Sequence, residues 1–67
     1  MADYRVYFLN AHGSILKCER LDCGADETAV RQVMMLLKKD RNCHGFELWQ
    51  SNRCVQVHPA HKPMHAG

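Results

Sequence analysis

Large apolar and polar side chains alternate near the start of the chain, in a run of aromatic and β-branched types at residues 4–9. This period of two predicts a β-strand with Val6 and Phe8 on one face and Tyr7 and Leu9 on the other. Residues 10–14 are typical of a turn, and a second extended run reaches from residue 15 to about residue 21. The two runs predict a β-hairpin.

A five-residue loop at residues 10–14 sets the predicted register of this hairpin. It places Val6 opposite Cys18 and Tyr7 opposite Lys17, so that Cys18 faces the apolar side as a small buried hydrophobe. A four-residue loop would instead turn Lys17 toward the apolar side, because a slip of one residue exchanges the two faces of a strand. The five-residue loop is therefore preferred.

A helical period follows from residue 27 to about residue 39, with Asp26 predicted as the N-cap. Met35 lies outside the apolar stripe of this helix, and Gln32 lies on its polar side. The stripe itself consists of Ala29, Val30, Val33, Met34, Leu36 and Leu37.

Residues 46–50 and 53–58 predict a second hairpin that Ser51 and Asn52 close. A two-residue turn pairs Gln50 with Arg53 and Leu48 with Val55. The side chains expected to face the helix are then Phe46, Leu48, Val55 and Val57, and those expected to face away are Glu47, Trp49, Cys54 and Gln56.

These elements predict an α+β fold of β-β-α-β-β order, with one four-stranded antiparallel sheet and a single helix packed on one face. With 67 residues, the chain has room for one domain, predicted at residues 1–58, and for a flexible C-terminal tail at residues 59–67. A domain of this size buries only about 60% of the surface of its unfolded chain, so a second subunit would be a natural source of extra stability.

The composition is that of an ordinary soluble protein, with 24% charged residues and a formal net charge of +2. No apolar run reaches the roughly 18 residues that a membrane-spanning helix needs, and a strand pattern stands where a signal peptide would have its hydrophobic stretch. We therefore expect a cytoplasmic protein without membrane contact, whose four cysteines are reduced.

A sheet that one helix covers leaves its second face bare, and the predicted registers turn Tyr7, Leu9 and Trp49 toward that face. Grouped aromatic rings on an uncovered face are typical of a surface that binds another protein or a second copy of the same chain. The first hypothesis is therefore a non-enzymatic interaction or self-associating domain that uses Tyr7, Leu9, Trp49 and Met35.

The same registers place the basic side chains of Arg5, Lys17 and Arg53 near Tyr7 and Trp49. Basic residues among exposed aromatics on a sheet are typical of some proteins that bind single-stranded RNA. The alternative hypothesis is a weak nucleic-acid-binding module, although the low net charge and the lack of a glycine-rich and aromatic motif argue against it.

A second alternative is a metal- or redox-sensing module built on Cys18, Cys23, Cys43 and Cys54, with the histidines His58, His61 and His65 near the end of the chain. Structural zinc sites usually take cysteines in close pairs, and the cysteines here are not spaced in that way. Cys43 beside His44 is the one pairing that suggests a catalytic thiol, and nothing completes a triad. The sequence therefore predicts no enzyme, no catalytic or metal-binding residue and no cofactor.

Three segments resemble short bacterial proteins of unassigned function. They are Y-R-V-Y-F-L-N followed by a glycine at residues 4–13, the acidic cap and helix at residues 26–37, and F-E-L-W-Q-S-N-R-C-V at residues 46–55. The resemblance implies the hairpin, helix, hairpin fold and carries no known site. Cys23, Cys43, Cys54 and the histidine tail lie outside its pattern.

Overall fold

A computed structural model gives the fold of residues 2–58, which are the residues that the structure describes. The predicted tail at residues 59–67 lies outside them. The elements are β1 (Ala2–Leu9), β2 (Ile15–Cys23), α1 (Asp26–Lys39), β3 (Gly45–Gln50) and β4 (Arg53–His58).

The four strands form one antiparallel sheet in the order β2-β1-β3-β4, and the α+β fold of β-β-α-β-β order is confirmed. The two central strands, β1 and β3, are those whose alternate side chains are large and apolar. The two edge strands, β2 and β4, carry more polar residues, as expected for strands with one side open to solvent.

The core lies between the sheet and α1, which packs on one face of the sheet and contacts β1, β2 and β3. Val33 and Ala29 in the middle of the helical stripe are fully buried, and Met35 is 58% exposed. The helical face was therefore predicted correctly. The fully buried side chains from the sheet are Val6, Phe8, Phe46 and Leu48, each at most 1% exposed.

The first hairpin has the predicted loop and a different register. Leu9 pairs with Ile15 across residues 10–14, where the Asn10 side chain accepts the backbone N–H groups of His12 and Ser14. The register then shifts, because Phe8 pairs with Lys17 and Leu16 is the extra residue of a β-bulge. The predicted register beyond this bulge was wrong.

This bulge exchanges the two faces of β2. Lys17 now lies on the helix side of the sheet, opposite Phe8, and Cys18 lies opposite Tyr7 on the other side. Cys18 is exposed and is not the buried hydrophobe that the sequence predicted.

The second hairpin contains a bulge of the same kind. Gln50 pairs with Arg53 as predicted, but Leu48 pairs with Gln56, so Val55 is the extra residue. Val55 still packs against the core, while Val57 lies opposite Glu47 and is 51% exposed. The predicted inward position of Val57 and outward position of Gln56 were therefore wrong.

The start of α1 also differs from the prediction. Ala25 is the capping residue, with extended backbone and no side-chain capping bond, and Asp26 is the first residue of the helix. The Asp26 carboxylate accepts hydrogen bonds from the Tyr4 hydroxyl at 2.6 Å and from the Arg53 guanidinium at 3.0 and 3.1 Å. It ties the helix to β1 and β4 instead of capping its own backbone.

Candidate functional site

The face of the sheet away from α1, here called the open face, carries four adjacent side chains at its centre. Arg5 and Tyr7 come from β1, and Glu47 and Trp49 come from β3. Arg5 lies directly opposite Trp49, and Tyr7 lies directly opposite Glu47. Alternation along both strands places these four residues, the open-face cluster, on the side opposite to the buried core.

The two aromatic side chains of the cluster are half-buried, although no helix within residues 2–58 covers them. Trp49 lies along its own strand, because its indole Nε1 donates a hydrogen bond to Oε1 of Glu47 at 3.2 Å. Residues two apart on a strand share a face, so the two side chains can bond within β3 itself. This hydrogen bond orients the ring along the strand, and part of the side chain remains exposed to solvent.

A groove of about 530 Å³ lies on this part of the open face. Its lining mixes aromatic, charged and small polar side chains. It includes the open-face cluster together with Asp3, Ile15, Ser51 and Asn52.

Charges on the open face are arranged in rows across the strands. Asp3 lies opposite Asp22, and Arg5 lies opposite Arg20, so like charges are neighbours between β1 and β2. A diagonal ion pair offsets this repulsion, with Nη2 of Arg20 2.7 Å from Oδ2 of Asp3. The hydrogen bond from Arg20 also holds the pKa of Asp3 below its ordinary value. With Glu47 included, carboxylates outnumber arginines among the described residues of this face.

Of the three basic residues predicted near the aromatics, the structure places only Arg5 there. Lys17 lies on the helix side, with Nζ 5.4 Å from the centre of the Phe8 ring and 3.3 Å from Oδ2 of Asp40. The bulge at Leu16 causes this difference. The predicted grouping of Lys17 with the aromatics was therefore wrong.

Arg53 also lies on the helix side of the sheet, where it pairs with Asp26 and donates to the side chain of Gln50. Arg53 pairs with Gln50, which is two residues from the buried Leu48 and therefore lies on the same face of the sheet as Leu48. The predicted basic patch of Arg5, Lys17 and Arg53 is thus divided between the two faces.

The predicted apolar contact residues are also divided. Tyr7 and Trp49 lie together on the open face, as expected. Leu9 is only 8% exposed, since β2 and β3 flank it on both sides. Met35 is exposed on the helix, on the other side of the sheet, and cannot form one surface with Trp49.

Glu47 is a partner in the site that was not predicted from the sequence. Its spacing of two residues from Trp49 was the available signal, since it predicts that both side chains lie on one face. Ile15, which is 62% exposed and lines the groove, was not predicted as a site residue either.

The four cysteines are free thiols and are dispersed. Cys18 and Cys54 are exposed on β2 and β4, at the two edges of the sheet, and Cys23 and Cys43 are buried. Within residues 2–58, no group of three or more histidine, cysteine or acidic side chains is arranged to hold a metal ion. The histidines at 61 and 65 lie outside the described residues.

Cys43 lacks the environment of a reactive thiol. Burial raises its pKa, and a hydrogen bond to Asp40 raises it further. The thiol therefore stays protonated, whereas a nucleophilic cysteine needs a lowered pKa. His44 is exposed and donates its backbone N–H to the carbonyl of Leu9 at 2.7 Å.

The described part of the chain contains no helix of the length and apolar character needed to cross a membrane. No model of a known protein family matches the chain, and neither curated proteins nor solved structures give a match. The resemblance to short bacterial proteins stays a prediction.

Proposed function

We propose that this protein is a small non-enzymatic interaction domain that associates with itself through the open face. The observation that carries the proposal is the pair of large aromatic side chains, Tyr7 and Trp49, on a sheet face that no other described element covers. Covering apolar surface stabilises a complex by roughly 25 cal/mol per Å². A second subunit on this face would therefore add to the limited core of a small domain.

The distribution of charge favours a protein surface over a nucleic acid as the partner. A groove that binds a phosphate backbone needs an excess of basic side chains beside its aromatics. Here Asp3 and Glu47 line the groove, and Lys17 and Arg53 form ion pairs on the other side of the sheet. Among the described residues of the open face, only Arg5 and Arg20 could contact a phosphate backbone.

The dispersion of the cysteines gives a metal- or redox-sensing role less support than association through the open face. We place the domain in the cytoplasm, where reducing conditions keep thiols such as the exposed Cys18 and Cys54 free.

The experiment is sedimentation velocity over a range of protein concentrations, with Trp49→Ala compared with Met35→Ala. The wild-type mass should rise with concentration, and Trp49→Ala should shift the protein toward monomer because it removes the largest ring of the open face. Met35→Ala is the matched control, since Met35 is a large, exposed apolar residue on the helix. It should leave the mass unchanged.

Melting curves of the same variants separate association from folding. Trp49→Ala should cost less stability than Leu48→Ala, which empties a fully buried site and should cost about 2–5 kcal/mol. If Trp49→Ala leaves the mass unchanged and destabilises the domain as much as Leu48→Ala does, Trp49 belongs to the core and the proposal is wrong.

A further inference from the structure

The open-face cluster forms a four-cornered arrangement whose diagonals differ in chemistry. Arg5 pairs across the strands with Trp49, and Tyr7 pairs with Glu47. Arg5 and Glu47 therefore occupy opposite corners, and the two aromatic residues occupy the other two. One diagonal joins opposite charges, and the other joins two rings.

We infer that a second copy of this chain covers the open face, related by a two-fold axis that runs along the diagonal from Tyr7 to Trp49. This inference rests on the proposed function and specifies its geometry. A two-fold axis in that position exchanges the other two corners. Arg5 of each copy then faces Glu47 of the other, and the rings meet their own counterparts.

The other two-fold axes through this cluster do not bring opposite charges together. An axis parallel to the strands sets Arg5 against the second Trp49, and an axis across the strands sets Arg5 against the second Tyr7. An axis along the diagonal from Arg5 to Glu47 sets arginine against arginine and carboxylate against carboxylate. Only the axis through the rings forms two ion pairs and stacks apolar surface on apolar surface.

The charge of the whole open face also favours a second copy. Arginines and carboxylates are nearly balanced there, so two such faces can meet without strong repulsion. Arg20 is already engaged with Asp3, whereas Arg5 forms no ion pair within residues 2–58. The Glu47 carboxylate accepts only the Trp49 indole N–H there and has room for another donor.

The area of the open face limits how tightly two copies can associate. Four strands spaced about 4.8 Å apart, with about 20 Å of paired length, give a face on the order of 400 Å² in projection. This lies below the roughly 800 Å² that each partner contributes to a standard interface, so we expect a weak dimer whose population depends on protein concentration.

Charge reversal tests the inferred axis. Arg5→Glu sets two carboxylates against each other in the homodimer, and Glu47→Arg sets two arginines against each other. Each variant should raise the dissociation constant of the dimer by about tenfold or more. An equimolar mixture of the two should form a heterodimer of nearly wild-type affinity, because both exchanged pairs are then attractive. Sedimentation of the separate variants and of the mixture measures this.

The outcomes distinguish the inference from the proposed function. If Trp49→Ala dissociates the dimer while the reversals leave it intact, the open face is used and the axis is wrong. If the mixture of Arg5→Glu and Glu47→Arg does not dimerise more tightly than either variant alone, the axis is also wrong. If Trp49→Ala leaves the mass unchanged, both fail. A wild-type chain that stays monomeric and binds a single-stranded oligonucleotide would overturn both as well.

Circular dichroism confirms that each variant is folded before its mass is interpreted. Should a reversal unfold the domain, Arg5→Gln and Glu47→Gln replace it. Each neutral variant should weaken the dimer less than its reversal would, and their mixture should recover part of the affinity, because the mixed dimer keeps one of the two Arg5–Glu47 ion pairs. Dimers of unchanged affinity in both neutral variants would contradict the inference.

Discussion

Ser51 is the only described non-glycine residue with a positive φ, at 54°. It occupies the two-residue turn between β3 and β4, where the right-handed twist of the strands favours a left-handed backbone. An L-residue with a Cβ atom pays about 1–2 kcal/mol for this conformation, and glycine does not. The turn therefore stores local strain at one position.

Ser51→Gly should stabilise the domain by about 0.5–1 kcal/mol, since the relief of strain exceeds the extra entropy of glycine in the unfolded chain. Urea unfolding measures the change. Asn52→Gly is the matched control, because Asn52 shares the turn without a positive φ. It should give no gain, and equal gains at both positions would show that the strain does not lie at Ser51.

At the scale of elements, carboxylates attach α1 to the sheet at both of its ends. Asp26 accepts from Arg53 and Tyr4, and these hydrogen bonds hold its pKa below the ordinary value. Asp40, just beyond the last turn, accepts from the backbone N–H of Asn42 and from Lys17, and its pKa is lowered as well. The two attachments join the helix to β1, β2 and β4.

These lowered pKa values predict loss of stability in acid. A carboxyl group whose pKa is lower in the folded state stabilises the protein fully above its unfolded pKa, near 4, and this contribution is lost as the pH falls through the folded pKa. The melting temperature should therefore fall below about pH 4. In Asp26→Asn the fall should be smaller, because one of the titrating attachments is absent.

Glu27→Gln is the control for this measurement. Glu27 lies in the same first turn as Asp26 and is exposed, and it forms no ion pair with any described residue. Its variant should keep the wild-type acid dependence. If Asp26→Asn also keeps it, the hydrogen bonds to Arg53 and Tyr4 do not contribute to stability.

At the scale of the whole molecule, a single layer of side chains between the sheet and α1 holds the domain together. Among the described residues, no side chain of a polar or charged type is buried, and the contacts within this core are mainly apolar. At one edge of the layer, the imidazole of His58 stacks on the buried Phe46 ring, with centroids 5.5 Å apart. In a core of one layer, few neighbouring side chains could rearrange to accommodate a buried charge.

Val33→Asp should therefore unfold the domain, because it places an unpaired carboxylate at a position with 0% exposure. Gln32→Asp changes the neighbouring exposed residue and should alter stability by no more than about 0.5 kcal/mol. Thermal melts of the two variants give the comparison. Equal losses at positions 32 and 33 would contradict the packing of the helix against the sheet.

The sequence by itself determined the elements, their order and most of the core. Val6 and Phe8 alternate with Tyr7, and Val33 lies in a helical stripe, so local periodicity was enough to predict which of these side chains are buried. It also placed Tyr7 and Trp49 on the uncovered face. These predictions hold because β1 and β3 have regular alternation over their paired length.

Only the tertiary structure decided the faces of the edge strands and the start of the helix. One extra residue at Leu16 sends Lys17 to the helix side and Cys18 to the open face. A bulge depends on how an edge strand twists against its neighbour, and the pattern of β2 alone does not show it. The role of Asp26 likewise depends on residues distant in sequence. Its carboxylate, predicted as an N-cap, accepts hydrogen bonds from Tyr4 and Arg53 instead.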